Sequence, residues 1–519
     1  MTDKPSILWA DDEIDLLKPH LLFLNDKGYD VTTVNNGDDA LEKIKQQEFD
    51  IVLLDENMPG ISGLETLVQL KNIKPHLPVI MITKSEEETI MEDAIGGKIA
   101  DYLIKPVNPN QILLSLKKNL DNKRLISEKT NSKYQQEFRQ ISMTLGDKLN
   151  WQAWTDVYRK LVYWELELEK TQDSGMYEIL TSQKEEANMM FSRFVENNYF
   201  NWIKNNETAP TLSHQLFKKK VFPLLDQSDE PVFFLLIDNL RYDQWKIIEP
   251  VISEYFRVLE EDTYCSILPT ATQYARNAIF AGLLPVDIEK RFPKLWLNDE
   301  EEGGKNLHEK EFLADQLQRH RKPCTYTYTK VTNINAGRDM VENIHNMFQH
   351  KLNVIVYNFV DMLSHARTEM EVIRELADDE KGYRSITLSW IQNSPLMEAI
   401  KKIAERKCKL IITTDHGTIK VKQPVKIVGD KNTNTNLRYK NGKSLSYDKR
   451  EVFEVKNPTD AGLPKTHLST AYAFAKKDDF FAYPNNYNHY VTYYRNTFQH
   501  GGISPEEMIV PVITLLSKV

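Results

Sequence analysis

The sequence predicts an α/β protein in three parts, and three observations lead to this fold class. Short apolar strands alternate with helical segments near the N-terminus, which favours a doubly wound domain of βα units. Large apolar residues recur at helical spacing in the middle, which favours a helical bundle. In the second half, apolar β-rich runs end in aspartate, which is typical of an α/β sandwich. The predicted boundaries are 1–121, 122–227 and 228–519.

Composition sets limits on the class of protein. A chain of 519 residues has room for about three domains. Charged residues at 27% and hydrophobic residues at 41% are ordinary for a globular chain. No apolar run approaches the roughly 18 residues of a membrane span, and the N-terminus lacks signal-peptide features. The three cysteines, Cys265, Cys324 and Cys408, predict free thiols in a reducing compartment. We therefore expect a cytoplasmic protein.

The N-terminal part places reactive side chains after its predicted strands. The run SILWA is followed by Asp11 and Asp12, and the run IVLLD ends at Asp55. The runs PVIMIT and DYLI lead to Thr83 and Lys105. Carboxylate oxygens are the hard ligands that Mg²⁺ prefers.

These words resemble a response-regulator receiver domain over its full length. The resemblance rests on Asp-x-x-Met-Pro at Asp55 and on the Lys105-Pro106 pair. It implies that Asp55 accepts a phosphoryl group from a cognate histidine kinase. It also implies a Mg²⁺ pocket and a set of switch residues. The pocket would comprise Asp11, Asp12, Asp55 and the backbone carbonyl of Asn57, and the switch would comprise Thr83, Tyr102 and Lys105.

The middle segment reads as helical. It is rich in Glu, Lys, Gln, Leu and Trp, and it suggests three to five helices. Its aromatic and apolar residues fall at helical spacing: Leu145, Leu149, Trp151, Trp154, Tyr158, Leu161, Met189, Met190, Phe194 and Trp202. Such a stripe forms either a cofactor site or a bundle core, and we favour the core. The bundle is expected to transmit the receiver's signal.

Six candidate metal ligands lie in the second half: Asp238, Asp361, His365, Asp415, His416 and His500. The three aspartates follow apolar runs, and ligands gather outside the carboxyl ends of strands in such sheets. Asp361 and His365 would share one helical face. From the residues alone, the adjacent Asp415 and His416 are expected to face different ions. Three Asp and three His suffice for two open sites, which can clamp a phosphoryl group.

The ligand types favour Zn²⁺, with Mn²⁺ as the alternative. The loop Pro269-Thr270-Ala271-Thr272 offers two hydroxyls, and metal coordination can convert such a hydroxyl into a nucleophile. The residues alone leave Thr270 and Thr272 nearly even.

The words IDNLRYD, PTATQYARN, DMLSH, TTDHG and QHGGISPEE stand in the order found in the alkaline-phosphatase superfamily. They resemble its PglZ-type branch from about Val232 to Pro511. The resemblance implies a largely parallel sheet between helices, two zinc ions and Thr272 as the nucleophile. One ion would bind Asp238, Thr272, Asp415 and His416, and the other Asp361, His365 and His500. A threonine nucleophile resembles the phosphodiesterases more than the monoesterases.

A basic segment runs against the overall net charge of −9. Residues 420–456 contain ten Lys or Arg and four Asp or Glu, a net charge of +6. The segment is either a solvated insertion or a lid that attracts a polyanion. Tyr439 could stack a base. The candidate phosphate contacts are Lys431, Arg438 and Lys440, together with Arg276 and Asn277 after the nucleophile.

Together the parts resemble PorX-type response regulators. That resemblance implies a phosphodiesterase acting on linear or cyclic oligonucleotides, a link to type IX secretion, and homodimers formed on phosphorylation. Two alternatives stay open. The chain could be an adaptor that binds a sigma factor or a secretion component. It could also act on monoesters or as a mutase, because the HGG-x-x-x-E word is shared with cofactor-independent phosphoglycerate mutases.

Overall fold

The computed structural model describes residues 4–75, 77–83, 99–171, 174–204, 208–299, 301–358, 379–430 and 433–519, without the side chains of 121–129 and 174. The chain forms two units, Met1–Lys133 and Tyr134–Val519. Among these residues, none of the helices combines the length and apolarity that a membrane crossing requires.

The N-terminal unit contains a five-stranded parallel sheet with strand order β2-β1-β3-β4-β5. The central strand is buried along its whole length, as expected when helices cover both faces of a parallel sheet. The predicted doubly wound receiver fold is confirmed. Its elements are β1 (Ser6–Ala10), α1 (Lys18–Asp26), β2 (Asp30–Val34), α2 (Gly37–Gln46), β3 (Ile51–Asp55), α3 (Gly63–Ile73), β4 (Val79–Thr83) and β5 (Asp101–Ile104).

Three long helices and a short one follow in the described part of the chain: α4 (Pro109–Leu145), α5 (Trp151–Glu169), α6 (Ser174–Ile203) and the short α7 (Phe222–Gln227). The helix α5 begins at Asn150, whose side chain accepts a hydrogen bond from the backbone N–H of Ala153. Trp154 and Tyr158 are buried in the same hydrophobic core as the strand Val232–Ile237. The predicted helical middle is confirmed, and its aromatic stripe packs against the C-terminal sheet. The three predicted domain boundaries stay a prediction.

The C-terminal sheet has six strands in the order β7-β18-β10-β6-β9-β8. The strand β18 is antiparallel to its two neighbours, and the pairs β10–β6, β6–β9 and β9–β8 are parallel. The predicted largely parallel α/β domain is thereby confirmed. These strands are β6 (Val232–Ile237), β7 (Phe256–Cys265), β8 (Tyr326–Val331), β9 (Leu352–Tyr357), β10 (Lys409–Thr413) and β18 (Ile509–Ser517).

Helices surround this sheet. The chain segment that connects β10 to β18 contains smaller strands, which pair in sheets of two, two and three strands among the described residues and are here called the small-strand layer. The helices are α8 (Tyr242–Ile252), α9 (Thr272–Ala281), α10 (Pro285–Arg291), α11 (Glu309–Arg319), α12 (Ile334–Met347), α13 (Glu380–Asn393), α14 (Pro395–Ala404), α15 (Tyr487–Tyr494) and α16 (Pro505–Met508). The smaller strands are β11 (Ile419–Lys420), β12 (Gln423–Lys426), β13 (Tyr439–Gly442), β14 (Val452–Val455), β15 (Ala471–Ala475), β16 (Asp479–Ala482) and β17 (Phe498–Gln499). The basic segment is therefore part of a folded layer.

Candidate functional site

Three of the predicted metal ligands converge at the carboxyl ends of two neighbouring strands. Asp238 follows β6, whereas Asp415 and His416 follow β10, and all three side chains are buried. His416 Nε2 lies 3.9 Å from Asp238 Oδ1 and 3.9 Å from Asp415 Oδ2. Ligand atoms of a tetrahedral zinc ion with bonds of about 2.0 Å stand roughly 3.3 Å apart, so small shifts would complete the site. The donor set fits one zinc ion, and the expectation that Asp415 and His416 face different ions is wrong.

The orientation of His416 is fixed from its other ring nitrogen. His416 Nδ1 lies 3.0 Å from the carbonyl oxygen of Gly417, which favours a proton on Nδ1 and leaves the lone pair of Nε2 available to a metal ion. The ring of His500 stacks on it at a centroid distance of 4.3 Å. Gly417 is required here because a Cβ would lie 2.0 Å from the carbonyl oxygen of Glu506.

A buried arginine holds the two carboxylates. Arg276 donates from Nε to Asp415 Oδ2 at 2.9 Å and forms an ion pair with Asp238. It also donates to Asn358 Oδ1 at 3.1 Å. Burial raises the pKa of Asp415, but Arg276 and His416 lower it more, so that its pKa is about 2. This carboxylate is therefore ionised at neutral pH, as a metal ligand must be.

The two loop hydroxyls have different surroundings. Thr272 opens α9 and is half-buried, and its Oγ1 lies 3.2 Å from His416 Nε2. Thr270 is fully buried. Its hydroxyl donates to the carbonyl of Gly502 at 2.9 Å and accepts from the N–H of Gly501 at 3.0 Å. The hydroxyl beside the ligands is that of Thr272, whereas Thr270 ties two loops together.

The second predicted group of ligands is described only in part. His500 Nδ1 lies 3.1 Å from the carbonyl oxygen of Thr270, so the ring is anchored beside the nucleophile loop. Asp361 and His365 lie outside the described residues. The second ion remains a prediction.

One residue of the His-Gly-Gly loop was missed by sequence reasoning. The word HGG-x-x-x-E singles out Glu506, but Glu507 holds the loop. Its Oε1 accepts from the N–H of Gly502 at 2.9 Å, and its Oε2 lies 2.6 Å from Arg438. The available signal was Ser504-x-x-Glu507, an N-cap pattern, since Ser504 accepts from the N–H of Glu507.

The described candidates for substrate contacts are buried. Each of the four described candidates is at most 1% exposed: Arg276, Asn277, Arg438 and Lys440. Asn277 donates to the carbonyl of Lys305, and Lys440 donates to the carbonyl of Asn434. In this conformation these side chains are bonded within the protein, and their role as substrate contacts stays a prediction. Tyr439, the predicted base-stacking residue, is also buried, and Lys431 lies outside the described residues.

The N-terminal unit contains a second acidic cluster. Carboxylate oxygens of Asp11, Asp12 and Asp55 lie within 4.8 Å of one another, which fits Mg²⁺. Lys105 Nζ lies 3.0 Å from Asp11 Oδ2 and 2.9 Å from Asp55 Oδ2. The pKa of Asp55 is raised because burial and the neighbouring acids outweigh the opposite effect of Lys105.

The predicted switch residues differ in exposure. Thr83 is buried at the end of β4, beside the acidic cluster's sheet edge. Tyr102, on the adjacent strand β5, is 40% exposed. Asn57 lies in an exposed turn after β3. An inward position of Tyr102 would therefore require a change from this conformation.

Comparisons with known families agree with these sites. A response regulator receiver domain matches residues 7–117, and a PorX response regulator linker domain matches residues 124–203. A BREX system PglZ alkaline phosphatase-like domain matches residues 216–515. The class is thus a response regulator with an alkaline phosphatase-like effector domain. The chain belongs to the PglZ alkaline phosphatase-like family, in a PorX-type fusion of receiver, linker and PglZ domains.

Individual relatives match a smaller part of the chain. The transcriptional regulatory protein ZraR of Klebsiella oxytoca is 35% identical over 24% of this chain and 28% of its own length. ResD of Bacillus subtilis is 32% identical over 22% of this chain and 48% of its own length. The chain thus spans between about a quarter and a half of these relatives. Both matched domain types are generally metal-dependent.

Two solved structures also match. A CheY-like receiver domain protein from Methanospirillum hungatei JF-1 is 30% identical, with a TM-score of 0.22, over 23% of this chain and 95% of that one. The chemotaxis response regulator CheY4 of Vibrio cholerae is 30% identical, with a TM-score of 0.21, over 22% and 99% respectively.

Proposed function

We propose that this chain is a response regulator whose effector domain is a zinc-dependent phosphodiesterase controlled by phosphorylation of Asp55. The observation that supports hydrolysis is the Thr272 hydroxyl beside Asp238, Asp415 and His416. The family resemblance adds oligonucleotides, linear or cyclic, as the substrate class and a link to type IX secretion.

Asp238, Asp415 and His416 would hold one zinc ion, and His500 would join Asp361 and His365 around a second. Bound zinc supplies a Lewis acid that favours the ionised form of a neighbouring hydroxyl. Arg276 keeps the two carboxylates ionised and fixed, so that they are ready to bind a cation. Its role is therefore that of a positioning residue.

Thr272 is the nucleophile in this proposal. Its hydroxyl gives up its proton to water, its oxygen attacks phosphorus, and a new Thr–O–P bond forms. The bond from phosphorus to the opposite ester oxygen breaks, and water protonates the alcohol that leaves. Because Thr272 opens α9, the positive end of the helix dipole lies at the nucleophile and favours a bound phosphate. Water then cleaves the phosphothreonine, which restores the hydroxyl.

The test compares bis-p-nitrophenyl phosphate with p-nitrophenyl phosphate, with added Zn²⁺ or with chelator, in the full chain. We expect zinc-dependent cleavage of the diester, lost by at least about 1000-fold in Thr272→Val and retained in Thr272→Ser. Unchanged turnover in Thr272→Val would refute the nucleophile. Faster turnover of the monoester would favour a monoesterase or mutase. No turnover of either ester in a protein shown to contain zinc would favour the adaptor.

A further inference from the structure

Beside the catalytic loops lies a short helix that consists mostly of aromatic residues. The helix α15 has the sequence YNHYVTYY and contains no fully buried residue. Tyr487, Val491 and Tyr494 pack against the small cluster of Ile419, Val421, Phe480 and Ala482. These three positions lie on one helical face and attach the helix to the small-strand layer.

The opposite face presents three rings to solvent. Tyr490 and Tyr493 are each 38% exposed, and His489 is exposed beside them. The rings of His489 and Tyr493 are nearly parallel, with an interplanar angle of 22° and centroids 6.3 Å apart, whereas the rings of His489 and Tyr490 meet at 65°. Single exposed aromatic residues are common, but three neighbouring exposed rings offer flat surfaces of the kind on which nucleic-acid bases stack.

The surroundings of the helix favour a polyanion. Residues 480–505 contain no Asp or Glu, and neither do residues 416–429, although the whole chain carries a net charge of −9. Lys426 lies over the ring of Tyr487, with Nζ 5.0 Å from the ring centroid, and Arg495 is exposed directly after the helix. One cation thus stands at each end of the helix that carries the exposed rings, and single-stranded nucleic acids are bound by cations at their phosphates and by rings at their bases.

The helix is connected to the catalytic residues through paired strands. It leads into β17, which pairs with β11, and Ile419 lies opposite Gln499. His416 precedes β11, and His500 follows β17. Tyr493 and His500 are seven positions apart in the chain, a distance of at most about 25 Å. A stacked single strand of about seven nucleotides, at about 3.4 Å each, spans that distance.

We propose that the exposed face of α15, formed by His489, Tyr490 and Tyr493, is a stacking platform for the bases of a single-stranded oligonucleotide substrate. Lys426 and Arg495 contact its phosphates. The proposal rests on the phosphodiesterase function above, because it assigns the substrate's remote part to this face and the scissile phosphate to Thr272.

Binding is measured with fluorescein-labelled decathymidylate and the full chain carrying Thr272→Val, so that cleavage does not interfere. The double variant Tyr490→Leu with Tyr493→Leu removes the rings and keeps apolar side chains. We expect it to bind about tenfold or more weakly, because stacking contributes substantially per base. The double Phe variant keeps the rings and should bind within about twofold of the parent. Tyr163→Leu changes a 55% exposed helical tyrosine elsewhere and should have no effect.

The failures of the two proposals can be distinguished. Equal affinity of the Leu and Phe double variants overturns the platform, and so does the absence of decathymidylate binding by the parent. If the platform variants behave as expected but wild type cleaves neither p-nitrophenyl ester, the hydrolase proposal fails and the binding face stands. In an active wild type, the platform also predicts a raised KM for decathymidylate in the Leu double variant and a much smaller change for a dinucleotide.

Discussion

Each unit of this chain contains a site in which a basic side chain lies between two aspartates, and that side chain is a lysine in one site and an arginine in the other. In the N-terminal unit, Lys105 lies between Asp11 and Asp55, and in the C-terminal unit Arg276 lies between Asp238 and Asp415. In each site the two aspartates follow neighbouring parallel strands, whose carboxyl ends lie at the same edge of the sheet. The comparison therefore isolates what lysine and arginine each contribute to a site of the same geometry.

The difference follows the chemistry expected of each site. Lysine is a flexible point charge, so Lys105 could follow a phosphoryl group that the proposed function places on Asp55. Arginine is a planar fork, and Arg276 uses it to hold Asp238, Asp415 and Asn358 at once. A group that is modified and released needs a movable partner, whereas ligands that hold a resident ion need a fixed one.

The largest expected effect comes from removing the guanidinium group of Arg276. Arg276→Met leaves two buried carboxylates without their guanidinium, which we expect to lower the free energy of unfolding by about 3–5 kcal/mol in chelator. Added Zn²⁺ should restore part of this loss, because a bound ion replaces the missing charge. Urea denaturation with chelator and with Zn²⁺ measures both quantities.

The control for this variant is an arginine on the surface of the same unit. Arg291→Met removes an ion pair with Asp315 in which the Arg291 side chain is 46% exposed, and it should cost no more than about 1 kcal/mol. Equal losses for the two variants would mean that the buried position of Arg276 has no special energetic role.

The second-largest expected effect concerns Asp55, the aspartate that pairs with Lys105. Asp55→Asn removes the phosphoryl acceptor, so we expect basal diester turnover to persist and its response to acetyl phosphate to vanish, with the ratio of treated to untreated rates near one. Mass spectrometry of the treated protein should show no added phosphoryl group. The exposed Asp26→Asn, in the same unit, should keep both the modification and the response. A response that survives in Asp55→Asn would separate the phosphodonor effect from this site.

The candidate ligands at the strand ends were predictable, because an apolar run followed by an aspartate indicates both a strand and the position of its carboxyl end. Asp238 and Asp415 come together because β6 and β10 are parallel neighbours. The role of Arg276 was not predictable in the same way. An arginine one helical turn after a nucleophile suggests a phosphate contact, and only the direction of α9 places it against the two strands. The second ion stays a prediction because Asp361 and His365 lie outside the described residues.

The basic segment shows a second limit of sequence reasoning. Residues 430–443 are polar and rich in turn formers, which indicates an exposed loop. In the structure Arg438 pairs with Glu507, which is 69 positions away in the chain, and both side chains are fully buried. A long-range pair of this kind has no local signal, because neither residue's neighbours depend on the other. The basic segment 420–456 also contains Lys426, which lies beside the aromatic helix α15.

The smallest expected effect extends the lysine–arginine comparison to a lysine far from carboxylates. Burial lowers the pKa of Lys105 but its hydrogen bonds to Asp55 and Asp11 raise it more, so that the net pKa is above the ordinary value. Lys440 is buried beside Tyr483 and the carbonyl of Asn434, and burial lowers its pKa to about 7. Whether a buried lysine has a raised or a lowered pKa therefore depends on the carboxylates beside it.

This contrast gives a pH dependence with a defined sign. Because the pKa of Lys440 is about 7 in the folded chain and 10.5 ordinarily, the unfolded chain binds more protons between these values. The wild type is therefore destabilised in full below pH 7 and recovers as the pH rises. Lys440→Met has no such titration, so its stability relative to wild type should be most favourable at pH 6. We expect that advantage to shrink by roughly 1–2 kcal/mol at pH 9. Denaturation of both proteins at the two pH values cancels the other titrating groups. A constant difference would show that Lys440 is neutral or charged in both states alike.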